Sequence, residues 1–383
     1  LTFTRYGTGA AVTVKWSVVE LASGITVQRG TANPASGATE NVTLASVDTA
    51  KAFPIVSNSG SGNDHGQDDF LKAKITSSTN LELSRVAGNT NGAVEWQVVE
   101  FTNSSVQTGD LSFGTGDASK TATSTAVDTA KSWLVYTYSS ASGTPSNIGQ
   151  KLVRGVITNS TTLTFDRNNT GQTMDLTWYL VEFTDDTSVQ HASEAFTSSE
   201  TQRDVTITAV DQSRSFAVGG YQMRGGRSPY SADDNPGVGW MTLELTTGSN
   251  LQITRALTGS TTADMGWFVV QIPNSPPTIS DIGNQATNED TATGAIAFTI
   301  DDLETAPASL TVSGSTSDQT LVPDGNLVFG GSGGSRTVTI TPAAEQNGVA
   351  TITITVSDGT DTATDTFDLT VTAVNDTPTV SNI

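Results

Sequence analysis

The chain has 383 residues, no cysteine, two histidines, and 39 acidic against 18 basic side chains, for a formal net charge of -21. Disulfides and thiolate metal sites are therefore excluded, and a surface this negative repels phosphate backbones and anionic headgroups, so nucleic acid and membrane surfaces are poor partners and divalent cations better ones. The length exceeds what one core organises, so several domains are expected; no apolar run reaches the ~20 residues of a spanning helix, so no membrane insertion is expected.

Residues 1–21 read as the closing part of a repeat. Leu1-Thr2-Phe3-Thr4-Arg5, a glycine-rich turn at Gly7-Thr8-Gly9, and Val12 to Leu21 match Leu81 to Phe101, Leu163 to Phe183 and Leu251 to Ile272. The tryptophans Trp16, Trp96, Trp178 and Trp267 stand 80, 82 and 89 residues apart, and Arg5, Arg85, Arg167 and Arg255 precede them by 11, 11, 11 and 12. Apolar and polar residues alternate on both sides of a Gly/Asn/Thr turn, which predicts an antiparallel hairpin closing each copy. The chain would then begin within a repeat, either because it is a window on a longer polypeptide or because a neighbouring subunit supplies the missing strands.

Further along, Val47-Asp48-Thr49-Ala50-Lys51, Val127-Asp128-Thr129-Ala130-Lys131 and Val210-Asp211-Gln212-Ser213-Arg214 each precede an apolar strand and read as turns. Val27-Gln28, Val106-Gln107 and Val189-Gln190 open the copies. Strands every ten or so residues, with no helical periodicity, predict small antiparallel β-sandwiches at 22–101, 102–183 and 184–273. The linkers between them are a few residues long, so the fold class expected is all-β, tandem antiparallel β-sandwiches in a stiff, rod-like array of beads.

Pro273-Asn274-Ser275-Pro276-Pro277 cannot hold a central strand and marks a change of domain. Beyond it come Asn288-Glu289-Asp290-Thr291, then Thr341-Pro342-Ala343-Ala344, Ala350 to Gly359, and Phe367 to Val374 followed by Asn375-Asp376-Thr377-Pro378. Period-two alternation of Thr351 to Val356 and of Phe367 to Val371 gives a β-sandwich on its own. The segment 274–376 resembles the cadherin-like, immunoglobulin-like tandem modules of very large bacterial surface proteins. Residues 377–383 begin as Thr278 to Ile282 do, so a further module is expected to start there.

The recurrent Arg and Glu are the first candidates for chemistry: Arg5 with Glu20, Arg85 with Glu100, Arg167 with Glu182, and Arg255 with Gln271, where the charge is lost. By parity both members face the apolar side of one hairpin, and a buried ion pair against the tryptophan is expected, with a structural role. Asn63-Asp64-His65-Gly66-Gln67-Asp68-Asp69 reads as a solvated loop more readily than as a metal site, and His191 is assigned no role. In the last module the resemblance implies calcium, held by hard oxygen ligands, and Glu289, Asp302, Glu304, Asp358 and Asp376 are its candidates; solvated surface acids are the alternative. No Ser/His/Asp order, phosphate-cradling glycine loop or HExxH motif is present, so no enzyme is expected.

The expected function is a structural or adhesive segment of a long secreted bacterial surface or filament protein, acting outside the cell and capable of self-association into a filament or cell-surface assembly. Carbohydrate binding is the alternative, because the hairpin with Trp-x-x-x-Glu and its upstream arginine is loosely similar to the last strands of H-type lectins. Its partner would be a glycan.

Overall fold

Where apolar and polar residues alternate with period two, the chain is strand. The computed structural model describes residues 13–19, 21, 24–34, 39–58, 70–86, 93–141, 148–223, 241–256, 258 and 262–375, and none of these is in an α-helix. The chain divides into two units, Leu1–Pro273 and Asn274–Ile383.

In the first unit each repeat contributes six strands among the described residues. The first repeat holds β1 (Ile25–Ala32), β2 (Thr39–Thr43), β3 (Ala52–Asn58), β4 (Lys72–Ser77), β5 (Asn80–Ser84) and β6 (Val94–Phe101). The second holds β7 (Ser104–Phe113), β8 (Ser119–Thr123), β9 (Ser132–Ser140), β10 (Arg154–Asn159), β11 (Thr162–Asp166) and β12 (Met174–Phe183). The third holds β13 (Ser188–Phe196), β14 (Gln202–Thr206), β15 (Ser215–Met223), β16 (Met241–Thr247), β17 (Asn250–Arg255) and β18 (Ala263–Gln271). All three have one topology: an inner sheet ordered β1-β6-β3, β7-β12-β9 or β13-β18-β15, and an outer sheet ordered β2-β5-β4, β10-β11-β8 or β14-β17-β16.

The closing hairpin expected from the alternation does not form. β5 is the centre of the outer sheet and β6 the centre of the inner one, so the glycine-rich connection crosses between sheets. Alternation identifies a strand and its buried face; it is silent about the partner. Trp96, Trp178 and Trp267 occupy equivalent positions on the central inner strands and are 8%, 5% and 5% exposed. Each ring needs a small residue opposite. Trp96 pairs with Gly30 and Trp178 with Gly109, where an added Cβ would stand 2.6 Å and 2.7 Å from the indole Cζ2; Trp267 pairs with Ala192 and Gly219.

Beads separated by linkers need correcting within this unit, because the repeats are fused. One hydrophobic cluster runs from Phe53, Val99 and Phe101 through Val106, Trp133, Tyr179 and Phe183 to Val189, Phe268 and Val270. Phe53 meets Trp133 at 5.3 Å between centroids, Trp133 meets Phe216 at 5.7 Å, and Phe101 meets Phe183 at 5.3 Å. The short linkers remove freedom by bringing these apolar faces together, and burying aromatic rings of this size contributes more than hydrating them. The repeats also share hydrogen bonds: Tyr179 Oη accepts from Ile75 N at 2.8 Å, and Thr137 Oγ1 accepts from Ala73 N at 2.9 Å.

The second unit runs β19 (Thr278–Ile279), β20 (Gln285–Asn288), β21 (Ile296–Asp301), β22 (Thr311–Thr316), β23 (Leu327–Ser332), β24 (Ser335–Ile340), β25 (Gly348–Ser357) and β26 (Thr362–Thr372). Its sheets are β19-β21-β24-β23 and β20-β26-β25-β22, with β20 parallel to β26. Read as A, A′, B, C, D, E, F and G, these are the ABED and CFG sheets of an immunoglobulin-like sandwich. Phe298, Ile300, Val338 and Ile340 face Ile352, Ile354, Val356 and Phe367 across its core.

Candidate functional site

The recurrent arginine sits where the chain leaves the outer sheet. Arg167, 2% exposed, donates from Nε to Asp117 O at 2.8 Å and from Nη2 to Gly114 O at 2.8 Å. From Nη1 it donates to Gln150 O at 3.0 Å and Gln172 O at 2.6 Å, with the guanidinium 5.3 Å from the Phe113 ring centre. Arg255 donates to Glu200 O at 2.7 Å and Thr197 O at 2.6 Å and lies 5.7 Å from Phe196. Burial lowers the pKa of both. Each is thus a clasp on loop carbonyls at one end of its sandwich; Arg85, 5% exposed, holds the equivalent place.

The expected pair of Arg167 with Glu182 does not form, because the glutamate is at the other end of the central strand, where Glu100 and Gln271 also lie. Glu100 Oε1 accepts from Asp48 N at 3.3 Å and Glu182 Oε1 from Asp128 N at 2.7 Å, so each caps the Asp-containing turn. Gln271 Oε1 does the same for Asp211 N at 3.1 Å. This explains why the charge is dispensable there: the turn needs an acceptor oxygen. Trp16 differs from the other tryptophans, being 61% exposed in a stretch, 13–19, that carries no strand. Arg5, Glu20, the rest of the expected 1–21 hairpin, the His65 cluster at 63–69, Asp376 and residues 377–383 lie outside the described residues. His191 packs 5.7 Å from the Phe268 ring and bonds the backbone of Thr129 in the preceding repeat.

The acids of the second unit separate into two places. Glu289, 7% exposed, accepts from Val374 N at 2.6 Å, just beyond the end of β26. Asp358 lies before the start of that eleven-residue strand, roughly 35 Å away at ~3.3 Å per residue. Asp302, Glu304 and Asp358 do gather at one end of the sandwich, joined by Asp361, which the sequence reading passed over. Asn274 Nδ2 donates to Asp358 Oδ2 at 2.5 Å and to Asp361 Oδ2 at 3.0 Å, and Ser275 Oγ donates to Glu304 Oε1 at 3.1 Å. Asp302 Oδ1 takes Glu304 N at 3.0 Å and Thr305 N at 2.5 Å, while its Oδ2 is buried with no hydrogen-bond partner. Burial raises the pKa of Asp358, but hydrogen bonds from Asp361 N, Thr360 N and Asn274 outweigh it and hold the carboxyl below its ordinary value. The signal for Asp361 was available, since Asp358-Gly359-Thr360-Asp361 is an Asx turn between β25 and β26.

An orphaned carboxylate oxygen at an acidic end of the sandwich suits a hard cation. Against this, no three acidic, histidine or cysteine groups among the described residues converge as a metal cage. The amides of Asn274 and the turn already take up much of the negative charge. Among the described residues no helix is long and apolar enough to cross a membrane.

No family model matches the sequence, and no curated protein does. Among solved structures, the chain is similar to titin domains I67–I69, at 9% identity over 67% of this chain and 100% of that one, with a TM-score of 0.25. A chimeric titin Z1Z2 matches at 19% identity over 27% of this chain and 100% of its own, with a TM-score of 0.21. An endo-fucoidan hydrolase of glycoside hydrolase family 107, MfFcnA4, matches at 10% identity over 65% of this chain and 43% of its own, also with a TM-score of 0.21. Overlaps this loose carry no functional argument.

Proposed function

We propose that the chain is a structural or adhesive segment of a long secreted bacterial surface or filament protein, with no catalytic role. The observation that carries this reading is the use made of its recurrent polar residues. The arginines are spent on loop carbonyls and the glutamates on turn amides, so what the repeats have in common is a device for holding sandwiches together. An immunoglobulin-like module following a fused triple repeat, with a net charge of -21, suits an extracellular tether that works in the presence of divalent cations. Calcium would draw on Asp302, Glu304, Asp358 and Asp361, supplying positive charge at the orphaned Asp302 oxygen. Because the repeats share a core, the test uses the whole chain. It is applied fluorescently labelled to a glycan array, with and without calcium, and in parallel stretched by single-molecule force spectroscopy. Absence of sugar binding, with the first unit resisting extension as one body, supports a tether. Saturable binding to a defined glycan overturns it in favour of a lectin-like array.

A further inference from the structure

We propose that the glutamine near the start of each repeat, Gln28, Gln107 and Gln190, is a latch that keeps the opening strand in place when the chain is under tension. The opening and closing strands of a repeat are antiparallel, so the chain enters and leaves at one point: Ile25 pairs with Phe101, Ser104 with Phe183, and Ser188 with Gln271. The junctions adjoin one another as well, since Thr102 N donates to Gly24 O at 2.8 Å and Thr184 N to Asn103 O at 2.9 Å. Gly24 and Ile272 are 248 positions apart, yet the path between them across these contacts is under about 40 Å, against roughly 850 Å for the extended chain.

A pull between the entry and exit of such a repeat acts across the end of the strand pair, so the ladder opens one residue pair at a time instead of resisting as a whole. The opening strand is the vulnerable one. Among the described residues β1, β7 and β13 stand at the edge of the inner sheet, with the central strand as their one neighbour in it, whereas β6, β12 and β18 are flanked on both sides. Peeling that starts at Ile25, Ser104 or Ser188 reaches the glutamine at the third or fourth residue of the strand.

There the strand is tied a second time. A side-chain amide carries both donor and acceptor, so it can meet the N–H and the C=O of one residue as a neighbouring strand would. Gln28 Nε2 donates to Ala45 O at 2.9 Å while its Oε1 accepts from Ala45 N at 2.8 Å. Gln107 does the same with Thr125 at 3.3 and 2.7 Å, and Gln190 with Thr208 at 2.9 and 2.7 Å. Ala45, Thr125 and Thr208 lie in the segment that crosses from the outer sheet to the Asp-containing turn, so each glutamine binds the edge strand to a part of the sandwich that tension does not load first. The gripped residue differs between repeats because only its backbone is used. A mechanical use for this latch rests on the tether proposed above; the geometry does not.

The chain has no cysteine, so introduced cysteines set the pulling points on the full chain. One handle on the N-terminus and one on Asn103→Cys pull β1 from its start and peel it. Moving the first handle to Asn33→Cys, just beyond β1, pulls the same strand from its far end and loads its pairs with β6 together. Lifetimes of the first repeat are read at constant force. Gln28→Met removes both bonds and should shorten the lifetime roughly tenfold under peeling, the effect of two neutral hydrogen bonds, but less than about twofold under shear. Gln28→Glu, which keeps the acceptor and loses the donor, should fall between. An unchanged peeling lifetime in Gln28→Met would overturn the latch, and so would equal losses in both geometries, which would make Gln28 an ordinary contributor to stability. Should Gln28→Met fail to fold, the unaltered side chain still decides, since peeling lifetimes as long as shearing ones would leave nothing for a latch to guard. Glycan binding on the array would refute the tether and leave these lifetimes as they are.

Discussion

Replacing Arg167 by methionine keeps the length and apolar stem of the side chain and removes its donors. Four carbonyls, of Gly114, Asp117, Gln150 and Gln172, then lose a charged partner at 2.6–3.0 Å. Hydrogen bonds to charged groups are worth ~1.5–3 kcal/mol each, but four on one guanidinium are not additive and the loops can recruit some water. A net loss of ~3–5 kcal/mol follows, which for a unit of this size lowers its melting temperature by roughly 10 °C. Differential scanning calorimetry of the whole chain reads this directly, provided the two units melt separately: the transition of the first unit should fall and that of the second stay. Arg167→Lys should recover less than half of the loss, since an ammonium cannot span carbonyls arranged around a planar fork. Glu182→Gln should cost only ~0.5 kcal/mol, as an amide oxygen already performs that role at Gln271. A shift under about 2 °C for Arg167→Met, or equal losses from the arginine and glutamate variants, would refute the clasp and revive an Arg–Glu pair.

Trp178→Ala should destabilise the first unit by ~3–5 kcal/mol, whereas Trp16→Ala, at a 61% exposed position, should stay within ~0.5 kcal/mol; urea titrations of the two variants decide this. His191, whose pKa burial depresses below 6.5 despite its bond to Thr129, takes up its proton in the unfolded chain first. Its contribution is therefore complete above pH ~6.5 and lost as pH falls through the lower folded value, and His191→Gln should flatten that part of the stability profile. Melting of the second unit should rise when calcium replaces chelator, and Asp302→Asn should remove most of the rise; identical curves for the unaltered chain would count against calcium at this end of the sandwich.

What could be read from the sequence was local. Alternation found the strands, and the constant interval between arginine and tryptophan found their common frame, because both depend on residues near one another along the chain. Partnership was not legible. Leu81 and Trp96 are separated by one glycine-rich connection, as in a hairpin, and only the need for Trp96 to face the outer sheet and rest on Gly30 places them in different sheets. The acceptor role of Glu182 was hidden for a similar reason, since its partner, Asp128 N, lies 54 residues away. Gln271 held the clue: a substitution that keeps an oxygen and drops a charge argues for a hydrogen bond. In the second unit the resemblance put Glu289 with Asp302, Glu304 and Asp358, although an entire strand separates Glu289 from Asp358, because a likeness of sequence carries no distance between strand ends.

The shared core has a consequence for how the chain acquires its structure. Phe53 and Phe216 both rest on Trp133, so each central contact joins residues about 80 positions apart, and the cluster they belong to draws on all three repeats. Contacts of such long range slow folding, because the entropy of closing large loops is lost before the contacts that offset it exist. A polypeptide growing from its N-terminus can assemble the first repeat's own cluster around Leu81, Leu83 and Trp96 early, but the shared core is complete only once the third repeat has emerged, so the apolar faces of Phe53 and Phe101 wait uncovered until their partners arrive.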